Sequence, residues 1–401
     1  MRPLVSLPST MAGSRMVADS AASNRWRLLR WFISSATCSV PQAAGPIAFS
    51  LVALGLTGDA SRGAAIVLAM TLAQVVGAVP IARLGRNWPA ATFLRVLVGV
   101  RTAALVLLSA LAAGGAPFIW LILAAVVGGS VNGAAHGYLR SVLNALAPAS
   151  RLPRALGIAA TLNELTFVLA PVAASGLGTI SPVFAVLALA GLGAIPMLLV
   201  PQTRSTSVEG VLHAGGSVLS PSILLWLMCA AAGGATVAAI EIGAVALALR
   251  FGYEPALAFL FTVPLCLASV AGGIWVSLRN RMATRMAVVA KLSIMTLGAA
   301  LVALEQSVAM TVLGAVLVGS VLAPLGTYYS LALDTLAPPH RRAEVFALLR
   351  TANSSGVIVA SAILTAASLS ATSVAVAGLM FLATSTVASA MYRHQSRTRQ
   401  V

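Results

Sequence analysis

The amino-acid sequence predicts an all-α membrane protein: twelve transmembrane helices in two pseudo-symmetric six-helix bundles. Composition is the first observation behind this. Of 401 residues, 59% are hydrophobic and only 8% are charged, and the mean hydropathy is +0.97. A soluble chain needs roughly a quarter of its residues charged to cover its surface, so this composition suits lipid as the solvent. The second observation is a set of apolar runs of about 20 residues, each long enough to cross a hydrocarbon core of roughly 30 Å as a helix. The third is an internal repeat. Gly129-Ser130-Val131 returns as Gly319-Ser320-Val321, Tyr138 as Tyr328, and Leu146-Ala147-Pro148 as Leu336-Ala337-Pro338; Arg151, Thr161 and Asn163 return as Arg341, Thr351 and Asn353. Every pair is 190 residues apart with no gap. Matches in one register at both polar and apolar positions indicate a duplicated half-chain, a construction common among membrane transporters.

In chain order the expected spans are 31–57, 63–82, 90–113, 118–143, 155–178, 182–200, 222–249, 256–278, 286–304, 308–333, 345–367 and 373–392. Turn chemistry separates them: Gly58-Asp59, Gly85-Arg86-Asn87, Gly114-Gly115-Ala116-Pro117, Ser181-Pro182, Gly252-Tyr253-Glu254-Pro255 and Pro338-Pro339. The longest polar interruption, 201–221, contains Arg204, Glu209 and His213 and reads as a cytoplasmic linker between the halves. The expected domains are therefore a bundle over 25–200 and a bundle over 222–393. Residues 1–24 lack a continuous apolar core, so they are expected to be a disordered cytoplasmic tail rather than a secretory signal. Residues 394–401 form a second cytoplasmic tail.

The formal net charge of +16 invites a nucleic-acid reading, but its distribution gives a topological one. With both termini inside, Arg25, Arg27, Arg30, Arg83, Arg86, Arg151, Arg154, Arg279, Arg281, Arg285, Lys291, Arg341 and Arg342 all fall on the cytoplasmic side, and only Arg62 and Arg250 fall in outer loops. That is the positive-inside pattern, and it places the chain in the cell inner (plasma) membrane. An eleven-span arrangement scatters these charges over both faces. Cys38, Cys229 and Cys266 lie inside apolar spans without disulfide or metal spacing. No ligand cluster for a metal, no nucleophile–base pair and no phosphate-cradling loop ending in Lys-Ser/Thr is present. Neither an enzyme nor an ATP-driven pump is expected, and no cofactor.

Between the second and third spans the chain reads Gly77-Ala78-Val79-Pro80-Ile81-Ala82-Arg83-Leu84-Gly85-Arg86-Asn87. This resembles the loop signature of the major facilitator superfamily (MFS), with Ala82 where the family usually has Asp. A weaker copy runs from Gly273 to Arg281 between the eighth and ninth spans, with Arg279 and Arg281 at its end. Asn163 to Pro171 in span five is similar to the Gly-Pro motif of superfamily exporters, with Ala170 in place of Gly, and with Glu164 and Glu241 it looks like a drug-efflux-type branch of high-GC bacteria. The resemblance implies the MFS fold, two six-helix bundles rocking about a central cavity. It also implies a loop that clamps the halves on the cytoplasmic side through Gly77, Arg83, Gly85, Arg86, Gly273, Arg279 and Arg281. The missing Asp removes the usual charge relay and leaves the packing role.

Charged and amide residues within spans are the candidate working groups. Glu164 lies about nine residues into span five, roughly 13 Å deep at 1.5 Å per residue. A charged carboxyl there costs on the order of 3 kcal/mol if it faces lipid. It must face a cavity, be paired or stay protonated, and a group held between those states is what proton coupling needs. His136 and Arg140, four apart on one helix face, are its candidate partners. A static Glu164–Arg140 bridge, a coupling role and direct substrate contact all stay open. Glu241 has no basic residue within a turn or two in its own span and is the second proton-coupling candidate. Arg101 is deep enough to imply cavity or ion-pair duty, whereas Arg350 can snorkel to the cytoplasmic interface. Asn163 and Asn353 are repeat mates that either line the cavity or bond across helices. Gln42 follows Pro41 in span one, and with Pro46 and Pro324 marks broken helices suited to hinges. The expected substrate cavity thus comprises Gln42, Arg101, His136, Arg140, Asn163 and Asn353. Asp334 is expected to pair with Arg341 or Arg342.

The expected function is proton-coupled efflux of a small amphipathic compound by a monomeric secondary carrier, because the expected cavity faces are apolar with few fixed charges. Uptake of a metabolite and a non-transporting receptor or assembly partner on the same fold are the alternatives.

Overall fold

The computed structural model describes residues 10–58, 61–203, 220–281 and 283–398. Asp59 and most of the expected linker, with Arg204, Glu209 and His213, lie outside them. Among the described residues there are no strands and twelve helices long and apolar enough to span a membrane. These are α1 (Arg25–Thr57), α2 (Arg62–Leu84), α3 (Ala90–Ala113), α4 (Phe118–Leu146), α5 (Ala149–Ile180), α6 (Pro182–Leu199), α7 (Pro221–Arg250), α8 (Phe259–Arg279), α9 (Arg285–Leu304), α10 (Val308–Leu336), α11 (Arg342–Ala366) and α12 (Leu369–Met391). Each expected span is present within a few residues. Helix α4 carries a one-residue break at Val131.

The first helix runs from Thr10 to Thr57. No proline lies between Thr10 and Pro41 to stop the helix, and Ala, Met and Arg in this stretch are good helix formers. At the other terminus the last helix continues to Thr398.

Local chemistry sets where helices start. Ser181 and Ser220, each followed by Pro at the first helical position, accept from the amides of Phe184 (3.4 Å) and Ile223 (3.3 Å). Thr284 and Ser307 cap α9 and α10 in the same way. These oxygens satisfy amides that have no partner inside the helix.

The two halves repeat the same helix pairings. In the first, α1 packs on α5 and α6, α2 on α4, and α3 on α6; in the second, α7 packs on α11 and α12, α8 on α10, and α9 on α12. The repeated glycines explain one pairing. Gly129 of α4 lies so close to the Met70 carbonyl of α2 that a Cβ there collides with it, and its mate Gly319 of α10 is equally close to the Leu265 carbonyl of α8. Small residues allow this backbone approach, which lipid-immersed helices use in place of a hydrophobic driving force.

The halves meet mainly at the end carrying the basic turns, called here the basic end. There α5 packs on α8 and α10, and α11 packs on α2 and α4. The buried cluster around Leu97, Tyr138 and Leu143 of the first half also takes in Leu331 and Ala347 of the second. At the opposite end Arg250 pairs with Glu305 within one half (3.3 Å), and Arg62 lies over the Phe118 ring within the other.

Candidate functional site

Three tiers of polar groups lie between the halves. The first, at the basic end, is a set of latches. Arg83, in the α2–α3 loop signature, donates from Nε and Nη2 to Glu344 Oε1 (2.8 and 2.7 Å) across the interface. Glu344 is only 2% exposed and is also met by Arg341 Nε at 3.4 Å. The carboxylate missing at Ala82 is thus supplied from the other half, at the start of α11. Sequence reasoning overlooked Glu344, because nothing in its local pattern sets it apart from a first-turn acid favoured by the helix dipole. The repeat-related latch is built differently. Asn280, held in a left-handed conformation (φ 44°), donates from Nδ2 to the Ser150 carbonyl (2.9 Å) and accepts from the Arg154 amide (3.0 Å). Gly273 and Gly157 approach so closely beside it that a side chain on either meets the other helix's backbone.

The remaining loop residues divide by role. Gly77 sits against the Ser130 carbonyl, and Gly85 against Phe93 and Tyr138, whose hydroxyl donates to the Ala82 carbonyl (2.8 Å). Arg86 and Arg281 are exposed. Arg279 is turned to Trp275 of its own helix (5.1 Å), whose ring Lys291 also meets (5.0 Å). Of the four expected loop arginines, only Arg83 bridges the halves among the described residues. A further latch member is Asp334, which Arg342 meets at 3.2 Å and to which Asn144 of the other half donates.

The second tier is a chamber of about 310 Å³, lined among others by His136 and Arg140 of α4, Gly233 and Gly234 of α7, Tyr329 of α10, and Phe346, Arg350 and Asn353 of α11. Both halves contribute. Sequence reasoning placed His136, Arg140 and Asn353 at such a cavity, and all three line it. Arg350 does not snorkel outward as expected; it donates to Gln42 of α1, so the two residues join the halves beside the chamber. Of the options left open for Glu164, the static bridge to Arg140 does not form among the described residues. The Arg140 guanidinium lies over the Phe346 ring (5.1 Å), and its three nitrogens are buried without a hydrogen-bond partner. The chamber therefore carries positive charge from both halves, Arg140 from one and Arg350 from the other, within a lining expected to be mostly apolar with few fixed charges.

Arg101 does not reach the chamber either. It is 1% exposed and ties the first half together, donating to the Cys38 carbonyl (2.9 Å), Asn132 Oδ1 (3.0 Å) and the Gly193 carbonyl (2.8 Å). Asn132 bonds to Gln74, and Gln74 donates to Ser354 of α11 (2.9 Å). This chain of amides carries a hydrogen-bonded path from the core of one half into the other. His136 Nδ1 joins it at the Asn132 carbonyl (2.9 Å). Asn163 is half-exposed and does not line the chamber, whereas its mate Asn353 is pressed against Gly234, where a Cβ leaves no room.

The third tier lies farther from the basic end. Glu164 of α5 sits beside the Ser269 hydroxyl of α8, and it is close enough to Glu241 of α7 for the two carboxyls, one from each half, to act on each other electrostatically. Glu241 lies seven residues beyond Gly234 and so on the same face of α7, two turns farther along the cleft. Neither acid forms an ion pair among the described residues.

The comparisons with known proteins agree with this architecture. The family model described as Major Facilitator Superfamily matches residues 31–361. The chain belongs to the Major Facilitator Superfamily. Solved MFS structures resemble it over nearly their whole length at low identity. A bacterial homologue of the iron transporter ferroportin, in an outward-facing state, is 15% identical with a TM-score of 0.73, covering 91% of this chain and 98% of that one. The E. coli fucose:proton symporter is 12% identical with a TM-score of 0.69, covering 91% and 98%. The human organic anion transporter MFSD10 is 13% identical with a TM-score of 0.67, again covering 91% and 98%. No curated protein sequence matches the chain. It is an MFS transporter, a multi-pass membrane protein rather than an enzyme.

Proposed function

We propose that this MFS transporter is a proton-coupled exporter of a small amphipathic compound, working by alternating access as a monomer in the cell inner membrane. Its basic end faces the cytoplasm, as the positive-inside rule requires. Closed at that end by the latches, the chain is then in an outward-facing arrangement, the state named for the ferroportin homologue it resembles. The observation that carries the proton reading is a carboxyl in a membrane span of each half, Glu164 and Glu241, near enough for Glu164 to act electrostatically on Glu241, with no ion-pair partner for either among the described residues. Like charges repel strongly in a low-dielectric bundle, and a proton on either carboxyl relieves that repulsion. Rocking the halves changes their separation, so proton binding and conformation are linked. The presence of a substitute for the missing loop Asp, in Glu344, supports a working gate and weighs against a non-transporting receptor.

Inverted membrane vesicles with an acid interior test the reading, with a panel of dyes and antibiotics as substrates. Accumulation that collapses when the pH gradient is dissipated supports export. Accumulation indifferent to the gradient contradicts proton coupling, and gradient-driven loss from the lumen points to uptake by symport instead.

A further inference from the structure

The chamber's charge identifies the kind of compound it holds. Arg140 comes from one half and Arg350 from the other, and both line the same cavity of about 310 Å³. All three nitrogens of Arg140 are buried without a partner, as are Nε of Arg350, Nε2 of His136 and the Tyr329 hydroxyl. Among the described residues no acid forms an ion pair with either arginine. Asp334, the carboxylate that acts electrostatically on Arg140, is already engaged by Arg342 and Asn144. Glu344 is engaged by Arg83 and Arg341, and Glu164 and Glu241 belong to the tier beyond. A guanidinium withdrawn from water without an anion is strongly disfavoured, and its planar fork of donors matches a carboxylate or other oxyanion. Met295, Leu322 and Leu325 line the same cavity with apolar surface.

We infer that the chamber takes a small amphipathic anion, its oxyanion group held between Arg140 and Arg350 and its apolar body against Met295, Leu322 and Leu325. The inference rests on reading the chamber as the substrate site of the carrier. It gives the two charged tiers separate tasks: the arginines recognise the anion, and the carboxyls farther along the cleft exchange protons.

Binding to the purified full-length protein in nanodiscs tests it with three probes of one shape: 2-naphthoate, neutral 2-naphthylmethanol and 2-naphthylmethylammonium. Naphthoate should bind at least tenfold more tightly than either of the others. Arg140→Gln and Arg350→Gln should each weaken naphthoate at least tenfold while leaving naphthylmethanol within about twofold, and Arg350→Lys should keep part of the preference. Equal binding of all three probes by the native protein, or tighter binding of the ammonium, overturns the inference without needing any variant. Unchanged naphthoate affinity in both folded Gln variants overturns it as well. An anion preference that persists while flux proves indifferent to a pH gradient rejects the proton reading alone; loss of the preference with proton-driven flux intact rejects the anion alone.

Discussion

Asn144 of α4 donates to the carboxylate of Asp334 of α10, and the two residues are separated by 190 positions, the same interval that relates every element of the internal repeat. Each is the other's symmetry mate, so the pseudo-twofold axis passes between them at the basic end. Duplication left an amide on one side and an acid on the other, and that asymmetry makes a bond where two identical acids repel. Asn144→Asp should therefore place like charges together on the axis and open this end of the bundle. Labelling of single cysteines introduced near Ser150 should become at least several-fold faster in the variant, and unchanged labelling refutes the claim.

The Arg83–Glu344 latch gives a second prediction. Arg83 is 54% exposed, so solvent screens the pair and its loss costs only about 1 kcal/mol, enough to shift the balance of states about fivefold. Glu344→Gln and Arg83→Ala should produce similar shifts toward the state open at the basic end. The double variant should be no worse than either single one, and fully additive effects would show that the two side chains act independently.

Helix approach in each half depends on glycine at repeated positions. Gly129→Val and Gly319→Val each force a side chain into a facing carbonyl and should lower thermal stability by about 1–3 kcal/mol. Gly176 has open space around its missing Cβ, so Gly176→Ala should be neutral or slightly stabilising. Melting of the three variants side by side checks the pattern.

Arg101 serves structure rather than recognition. Arg101→Met removes three bonds that join α3 to α1, α4 and α6, at a cost of about 2 kcal/mol given modest hydrogen-bond energies within membranes. Substrate affinity in the variant that still folds should stay within about twofold of native. A tenfold loss of affinity without loss of stability would return Arg101 to the cavity.

Much of this architecture was legible in the chain. Twelve spans, their turns and the repeat followed from hydropathy and register, because lipid forces every backbone group into helices and the duplicated residues kept their spacing. His136 and Arg140, singled out as charged candidates on one helix face, and Asn353, singled out as the repeat mate of Asn163, line the chamber. What failed was partnering between distant helices. Arg101 was expected at the cavity or in an ion pair and Arg350 at the cytoplasmic interface, yet Arg101 is locked within one half and Arg350 bridges both beside the chamber. Glu344 and Asn280 gave no local signal, since each acts only through residues brought near by the closing of the two bundles.

In the proposed cycle Glu164 and Glu241, one from each half, carry the coupled proton. This role is tested most directly by flux driven by a pH gradient in inverted vesicles containing Glu164→Gln or Glu241→Gln at native expression. Each substitution should abolish gradient-driven accumulation while the folded protein still binds substrate. Full proton-coupled accumulation in both single variants would contradict it.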